Sequence, residues 1–221
     1  MHLFLTDRLS CPRCGPDFGL ILLADEVRDR RIISGDLGCA NCREKYPVAE
    51  GFGDLRPPPR APLSPPEPSS PPADPEETVR FGALLGVTEG PGTLLLKGPA
   101  VRQAGALADL IQGVEVVGVD TSLMGEAERE GVSRMVAHPR IPFFNASLRG
   151  VLLSGEVGIL EVEEAARVVA LQGRVVVLES PPQARERLEG LGLKVILEQE
   201  GVLVAFRERW EAVPLVPLRG S

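Results

Sequence analysis

Two apolar runs decide the fold: Thr93-Leu-Leu-Leu-Lys-Gly-Pro99 and Val114-Glu-Val-Val-Gly-Val-Asp120. Each is a short stretch of leucine or valine closed by glycine or aspartate, the pattern of a strand buried on both faces. Between them, Ala100 to Gln112 carries its apolar residues at helical spacing. Two parallel strands need a long crossover to join them, so strand, helix, strand predicts the start of a parallel sheet.

The alternation continues outward. Glu76 to Val87 predicts a helix ahead of the first strand. Beyond the second, Gly125 to Gly131 predicts a short helix and Ser133 to Ala137 a third strand. Gly150 to Leu153 follows as a fourth strand, Glu161 to Leu171 as a helix, Arg174 to Glu179 as a fifth strand and Pro182 to Leu191 as a helix. Lys194 to Leu197 and Val202 to Arg207 predict a hairpin about Glu200-Gly201, and the proline-rich Trp210 to Ser221 reads as a tail packed on the surface. Residues 76–210 therefore read as a doubly wound, mostly parallel, Rossmann-like α/β domain with a C-terminal antiparallel hairpin, followed by the tail 211–221. In such sheets a ligand sits at the carboxyl ends of the strands near the switch point. That points to Gly98 and to Asp120, 22 positions further on. An acid there can accept hydrogen bonds from a ribose diol; a helix cap or a surface acid would look the same.

Ahead of this domain, Pro57 to Pro75 has no hydrophobic face. Proline at this density favours a semi-rigid polyproline II spacer of about 3 Å per residue, a reach of roughly 50–60 Å. Its P-x-x-P spacings could also dock on aromatic grooves, but spacer is the simpler reading.

Residues 1–56 hold all four cysteines, as Cys11-Pro-Arg-Cys14 and Cys39-Ala-Asn-Cys42. The pairs are 24 residues apart, somewhat more than the roughly 15–20 of the commonest zinc pattern, which leaves room for a hairpin. Leu20 to Leu23 and Arg31 to Ser34 read as its strands, with Asp25 to Arg30 as the turn. Gly15 and Gly38 stand beside the knuckles, where a chain bending around a metal needs permissive φ. Two disulfides would need an oxidising compartment, and a thioredoxin-like motif explains one C-x-x-C but not two. The expected reading is a structural zinc site of Cys11, Cys14, Cys39 and Cys42, since four thiolates leave no open position for water. Iron could occupy the same sulfurs. A module this small lacks the core to fold alone, so metal would supply the missing stability.

Composition narrows the function. The 221 residues are 43% hydrophobic and 25% charged, with a net charge of −7. That is an ordinary globular composition, and an acidic chain lacks the basic footprint of a general nucleic-acid binder. No apolar run reaches the ~20 residues of a membrane span, and Met1 to Leu9 has no signal-peptide pattern, so a cytoplasmic protein is expected. His138 has no carboxylate neighbour in sequence and His2 lies near a terminus; neither makes a convincing general base.

The first module resembles the short zinc-ribbon family of methyltransferase-activating subunits and their bacterial single-domain relatives. The matching residues are the leucine-rich Leu5 to Leu9, Cys11/Cys14, Cys39/Cys42, Tyr46-Pro47 and Gly51-Phe52 to Leu55, with Gly53 where the family often has proline. The resemblance implies binding to a methyltransferase domain or another macromolecular partner. Residues 84–207 are similar to class I S-adenosylmethionine-dependent methyltransferases of the ubiquinone/menaquinone-biosynthesis type. The carriers are Val116-Val-Gly-Val-Asp-Thr-Ser122, Ile141-Pro-Phe-Phe-Asn-Ala-Ser147, Glu164 to Val168 with Gly173 to Val177, and Leu191-Gly-Leu-Lys-Val195. That resemblance implies a ribose-binding role for Asp120. It also exposes losses. The family's D-x-G-x-G-x-G turn is here Leu95-Leu-Lys-Gly-Pro-Ala100, keeping only Gly98 and placing Leu96 or Lys97 at the acid. Ala137 stands at the adenine-contacting acid, Arg149 at the Asp of S-F-D, and Ala170-Leu-Gln172 at K-P-G.

Three functions follow as expectations. The first is a non-catalytic scaffold or regulatory partner that binds S-adenosylmethionine poorly or not at all and acts on a protein, such as a methyltransferase or a translation-related factor. The second is an active methyltransferase with a divergent cofactor loop and a ribbon for recruitment. The third is a zinc-ribbon adaptor for ribosome, tRNA or transcription machinery, which the acidic charge disfavours. Phe143 and Phe144 could line a remnant pocket, or simply pack.

Overall fold

The computed structural model describes residues 1–63 and 72–208. The chain opens with a short 3-10 helix, Leu3–Arg8. Five strands follow: β1 (Ser10–Cys11), β2 (Gly15–Arg28), β3 (Arg31–Cys39), β4 (Lys45–Ala49) and β5 (Phe52–Asp54). They form an antiparallel ladder in chain order. The β2–β3 hairpin is longer than the sequence suggests. It runs through the polar Asp25 to Arg28 and turns only at Asp29 and Arg30, both at positive φ.

Helix α1 (Pro75–Leu85) starts where Asp74 accepts a hydrogen bond from the Glu76 amide at 2.9 Å, with proline at its first position, and stops at Gly86 in the left-handed region. β6 (Gly92–Lys97), α2 (Ala104–Leu110), β7 (Val114–Val119), β8 (Val132–Val136), β9 (Leu148–Leu153), α3 (Ile159–Val168), β10 (Val169–Leu178), α4 (Ala184–Gly190), β11 (Lys194–Gln199) and β12 (Val202–Phe206) complete the fold. Strands β8-β7-β6-β9-β10 are parallel, and β12 lies antiparallel between β10 and the outer β11. This is a doubly wound α/β sheet with its order reversing at β6, followed by the expected hairpin. Leu94 and Leu96 face the core under α1 and α2, while Leu95 faces the one under α3 and α4. Both faces of the strand are thus covered.

The sheet is not mostly parallel. All twelve strands form one mixed sheet, because β5 pairs in parallel with β8 (Phe52↔Arg134, Gly53↔Met135, Asp54↔Val136) and so appends the whole antiparallel ribbon to it. The ribbon docks on its own chain. Leu5, Leu9, Ile32, Leu37, Tyr46 and Val48 share a buried core with Val117, Met135, Phe143 and Leu148. Leu9 bridges to Phe143, and Ser10 donates its amide to the Pro142 carbonyl at 3.0 Å. Across the seam, Glu128 accepts from the Met1 α-ammonium at 3.0 Å, from Arg31 Nε at 2.5 Å and from Arg134 at 3.1 Å.

Three elements differ from expectation. Gly125 to Gly131 is not helical; the buried Arg134 guanidinium captures the Glu126 carbonyl, which a helix would have bonded to its own amide, and also reaches the Leu123 carbonyl just ahead of the segment. The helix expected over Ala100 to Gln112 begins as a 3-10 segment, Gly98–Gln103, and is α-helical only over Ala104–Leu110. The helix from Glu161 stops at Val168, because Val169 already pairs with Leu148 in the sheet. The start of the proline-rich segment is tied down: Arg60 donates to Glu44 at 2.6 Å and to the Lys45 carbonyl at 2.8 Å. The tail from Trp210 lies outside the described residues. Among those described, no helix is long and apolar enough to cross a membrane.

Candidate functional site

Two places in the fold were singled out by sequence: the cysteines, and the carboxyl ends of β6 and β7. The structure brings all four cysteines together. Cys11 ends β1, and Gly15 at φ +94° turns the chain back into β2 with Cys14 just before it. Cys39 ends β3, and a turn in which Arg43 donates to the Cys39 carbonyl at 2.9 Å presents Cys42. Their sulfurs all lie within 4.8 Å of one another, a group that could hold a metal ion. Cys11 and Cys42 Sγ are 3.7 Å apart, and Cys39 and Cys14 Sγ 3.9 Å. A tetrahedron with metal–sulfur bonds of about 2.3 Å has edges of about 3.8 Å, whereas a disulfide bond is ~2.05 Å. The donor set and its spacing fit a tetrathiolate metal rather than two disulfides.

The thiols are not equivalent. Burial pushes Cys42 up to about 12, reinforced by its neighbouring thiols, and burial raises Cys39 as well. At Cys11 burial acts upward too, but the Tyr46 hydroxyl and the Cys14 and Arg13 amides outweigh it and bring the thiol down to about 7. Tyr46 is fully buried with its hydroxyl 3.5 Å from Cys11 Sγ, and Asn41 donates to Cys14 Sγ at 3.3 Å. In the sequence Tyr46 stands out only as part of Tyr46-Pro47; its role as a buried sulfur partner has no signature in the chain.

The strand ends are arranged differently. Gly98 sits at φ +76°, and a Cβ there would lie 2.1 Å from the Ser154 carbonyl oxygen. Glycine is therefore demanded by the approach of the β9 end to the β6 end. Ser154 Oγ closes the gap, donating to the Lys97 carbonyl at 2.9 Å and accepting from the Ala100 amide at 2.8 Å. The Lys97 ammonium is paired with Glu161 at the start of α3, and the Pro99 ring lies against Gly155. Asp120 does stand at the end of β7, half-buried, but one of its oxygens caps the turn Thr121–Leu123 by accepting from Ser122 at 2.8 Å. Gly98 and Asp120 are thus both where the sequence put them, each with a structural partner.

The other residues read as departures have structural places. Ala137 is buried. Arg149 donates to the Glu89 and Pro91 carbonyls at 2.5 and 3.0 Å. Phe143 is fully buried in the shared core, and Phe144 packs over Gly19 of β2. His138 is exposed, and His2 makes an edge contact with Phe4. An open groove of about 980 Å³ lies at the opposite, amino end of the parallel strands, between the Arg28–Arg31 turn and Gly92, Val114 and Gly131.

No protein-family model matches the sequence, and no curated protein matches it. Solved structures with a similar shape include a chain of the complex between the Haloferax volcanii Trm112 methyltransferase activator and a methyltransferase, at 15% identity over 60% of this chain and 90% of that one, with a TM-score of 0.46. Precorrin-6y C5,15-methyltransferase from Geobacter metallireducens matches at 14% identity over 66% and 94%, TM-score 0.46. Geranyl diphosphate C-methyltransferase from Streptomyces coelicolor matches at 12% over 60% and 80%, TM-score 0.47. At these identities and scores they are likenesses of shape and say nothing of substrate, cofactor or partner.

Proposed function

We propose that this chain is a zinc-binding protein with a methyltransferase-type sheet that does not transfer methyl groups and serves as a scaffold or regulatory partner for another protein. Cys11, Cys14, Cys39 and Cys42 hold the zinc, which fastens the ribbon without taking part in chemistry, since four thiolates complete its shell. The observation that carries the non-catalytic reading is the closure at the β6 and β9 ends. Lys97 pairs with Glu161, and Ser154 bridges Lys97 to Ala100, at the strand end where the resemblance would put a glycine-rich cofactor turn. A cation beside that ground also opposes a ligand carrying ammonium and sulfonium charge.

Asp120 supports the second reading, an active methyltransferase with a divergent loop, because its carboxylate remains at the β7 end where a ribose acid would stand. Isothermal titration with S-adenosylmethionine separates the two. The scaffold reading expects no heat of binding at high micromolar concentrations; micromolar affinity overturns it. Metal analysis of the purified chain expects one zinc per polypeptide, and a metal-free, folded ribbon would overturn the zinc assignment.

A further inference from the structure

The metal group has one buried neighbour that its four ligands do not explain. Tyr46 is completely buried, and its hydroxyl lies 3.5 Å from Cys11 Sγ. Burying an unpaired hydroxyl is costly, so a tyrosine kept here rather than phenylalanine needs a partner for its O–H. The ring is held from behind. The Arg60 guanidinium lies 5.0 Å over its face, and Arg60 is itself fastened to Glu44 and to the Lys45 carbonyl. Arg60 belongs to the described start of the proline-rich segment, and through it that start is braced against the metal centre.

We infer that Tyr46 is a positioning residue for the metal: its hydroxyl donates to the Cys11 sulfur, drawing charge from that thiolate and making Cys11 electronically distinct from the other three ligands. The inference rests on the reading of the four cysteines as a metal site. A donor on a thiolate lowers the energy of the sulfur lone pair, so moving an electron from sulfur to metal costs more. The same hydrogen bond holds the ligand in place, and removing such outer-shell partners weakens metal binding by about tenfold or more.

The test uses the full chain with cobalt(II) in place of zinc, reading the sulfur-to-cobalt charge-transfer absorption and the competition with a colorimetric chelator. Tyr46→Phe is expected to move the charge-transfer band to lower energy and to weaken metal retention about tenfold. The chain contains a single tyrosine, so growth on fluorotyrosine labels this position alone. Its more acidic hydroxyl is expected to move the band the opposite way, and this keeps the test open if the phenylalanine variant fails to fold. A loss of packing alone would not shift the band in opposite directions for the two changes. A band unmoved by both substitutions overturns the role of Tyr46 while leaving the metal site standing. A wild-type chain that takes up no cobalt and holds no zinc overturns both.

Discussion

Replacing Glu128 with glutamine tests the claim that the ribbon is docked by buried charge as well as by apolar packing. The Glu128 carboxylate is the one anion shared by the Met1 α-ammonium, Arg31 and Arg134, whose side chains are 0%, 9% and 1% exposed. Burial alone would raise its pKa. The Met1 ammonium and the Arg31 guanidinium outweigh that and hold it below the usual carboxylate range. Glutamine keeps the shape and removes the charge, leaving these cations, among the described residues, only the Glu115 carboxylate on Arg31 at 2.8 Å. Breaking one partner out of a buried ion cluster costs about 3 kcal/mol at the low end, appropriate to a carboxylate that is 18% exposed. For a chain of this size that lowers the melting midpoint by about 6–12 °C. Burial brings the Met1 amine down to about 6, so differential scanning calorimetry at pH 5, where both it and the Glu128 carboxylate are charged, reads the effect directly. Glu198→Gln, which breaks an exposed pair with Arg185 on the outermost strand, is the control and should leave the midpoint unmoved. If the two variants melt together with wild type, the seam is held by the shared core alone and the electrostatic argument is wrong.

The same carboxylate makes a pH prediction. Its folded pKa is depressed, so its contribution is present above the unfolded value of about 4.3 and is lost as pH falls through the folded one; once the Met1 amine is charged below about pH 6, the midpoint gap between wild type and Glu128→Gln should therefore close on titration from pH 5 towards pH 3. Gly98→Ala should cost about 3 kcal/mol or more in urea unfolding, since its Cβ would lie 2.1 Å from the Ser154 oxygen at a positive φ; a loss below about 1 kcal/mol would mean the strand ends are not that close. Cys39→Ser should abolish stoichiometric zinc and expose the amides of residues 10–49 to hydrogen exchange while β6, β7 and β9 stay protected, and uniform protection in both would count against a metal-held ribbon. On the scaffold reading, removing the Lys97–Glu161 pair by a double alanine substitution should still leave S-adenosylmethionine binding absent by calorimetry, because the acid missing at Leu96 or Lys97 is not restored; micromolar binding by this variant would count against that reading.

How much of this was legible depends on whether the deciding contact was local. The strand over Thr93 to Lys97, the helix after Asp74 and the closing hairpin were readable because apolar period, caps and turn glycines are written within a few neighbouring residues. The cysteines were readable for the same reason, as each knuckle is local and only the two knuckles had to meet. What could not be read was anything decided by a partner far along the chain. Gly125 to Gly131 reads as a short helix, yet Arg134, several residues on, takes the Glu126 carbonyl. The docking of the ribbon depends on β5 meeting β8 some eighty residues later in register Phe52↔Arg134, and no period in either segment announces that pairing. Gly98 shows the limit most sharply. Read beside a family motif it looks like the survivor of a cofactor cradle, but in space it is required by the carbonyl of Ser154, a residue 56 positions away. A retained glycine at a strand end is therefore weak testimony for a ligand, since two backbones crossing closely demand the same residue. The Lys97–Glu161 pair beside it is likewise a contact across 64 positions, invisible to any local reading of the chain.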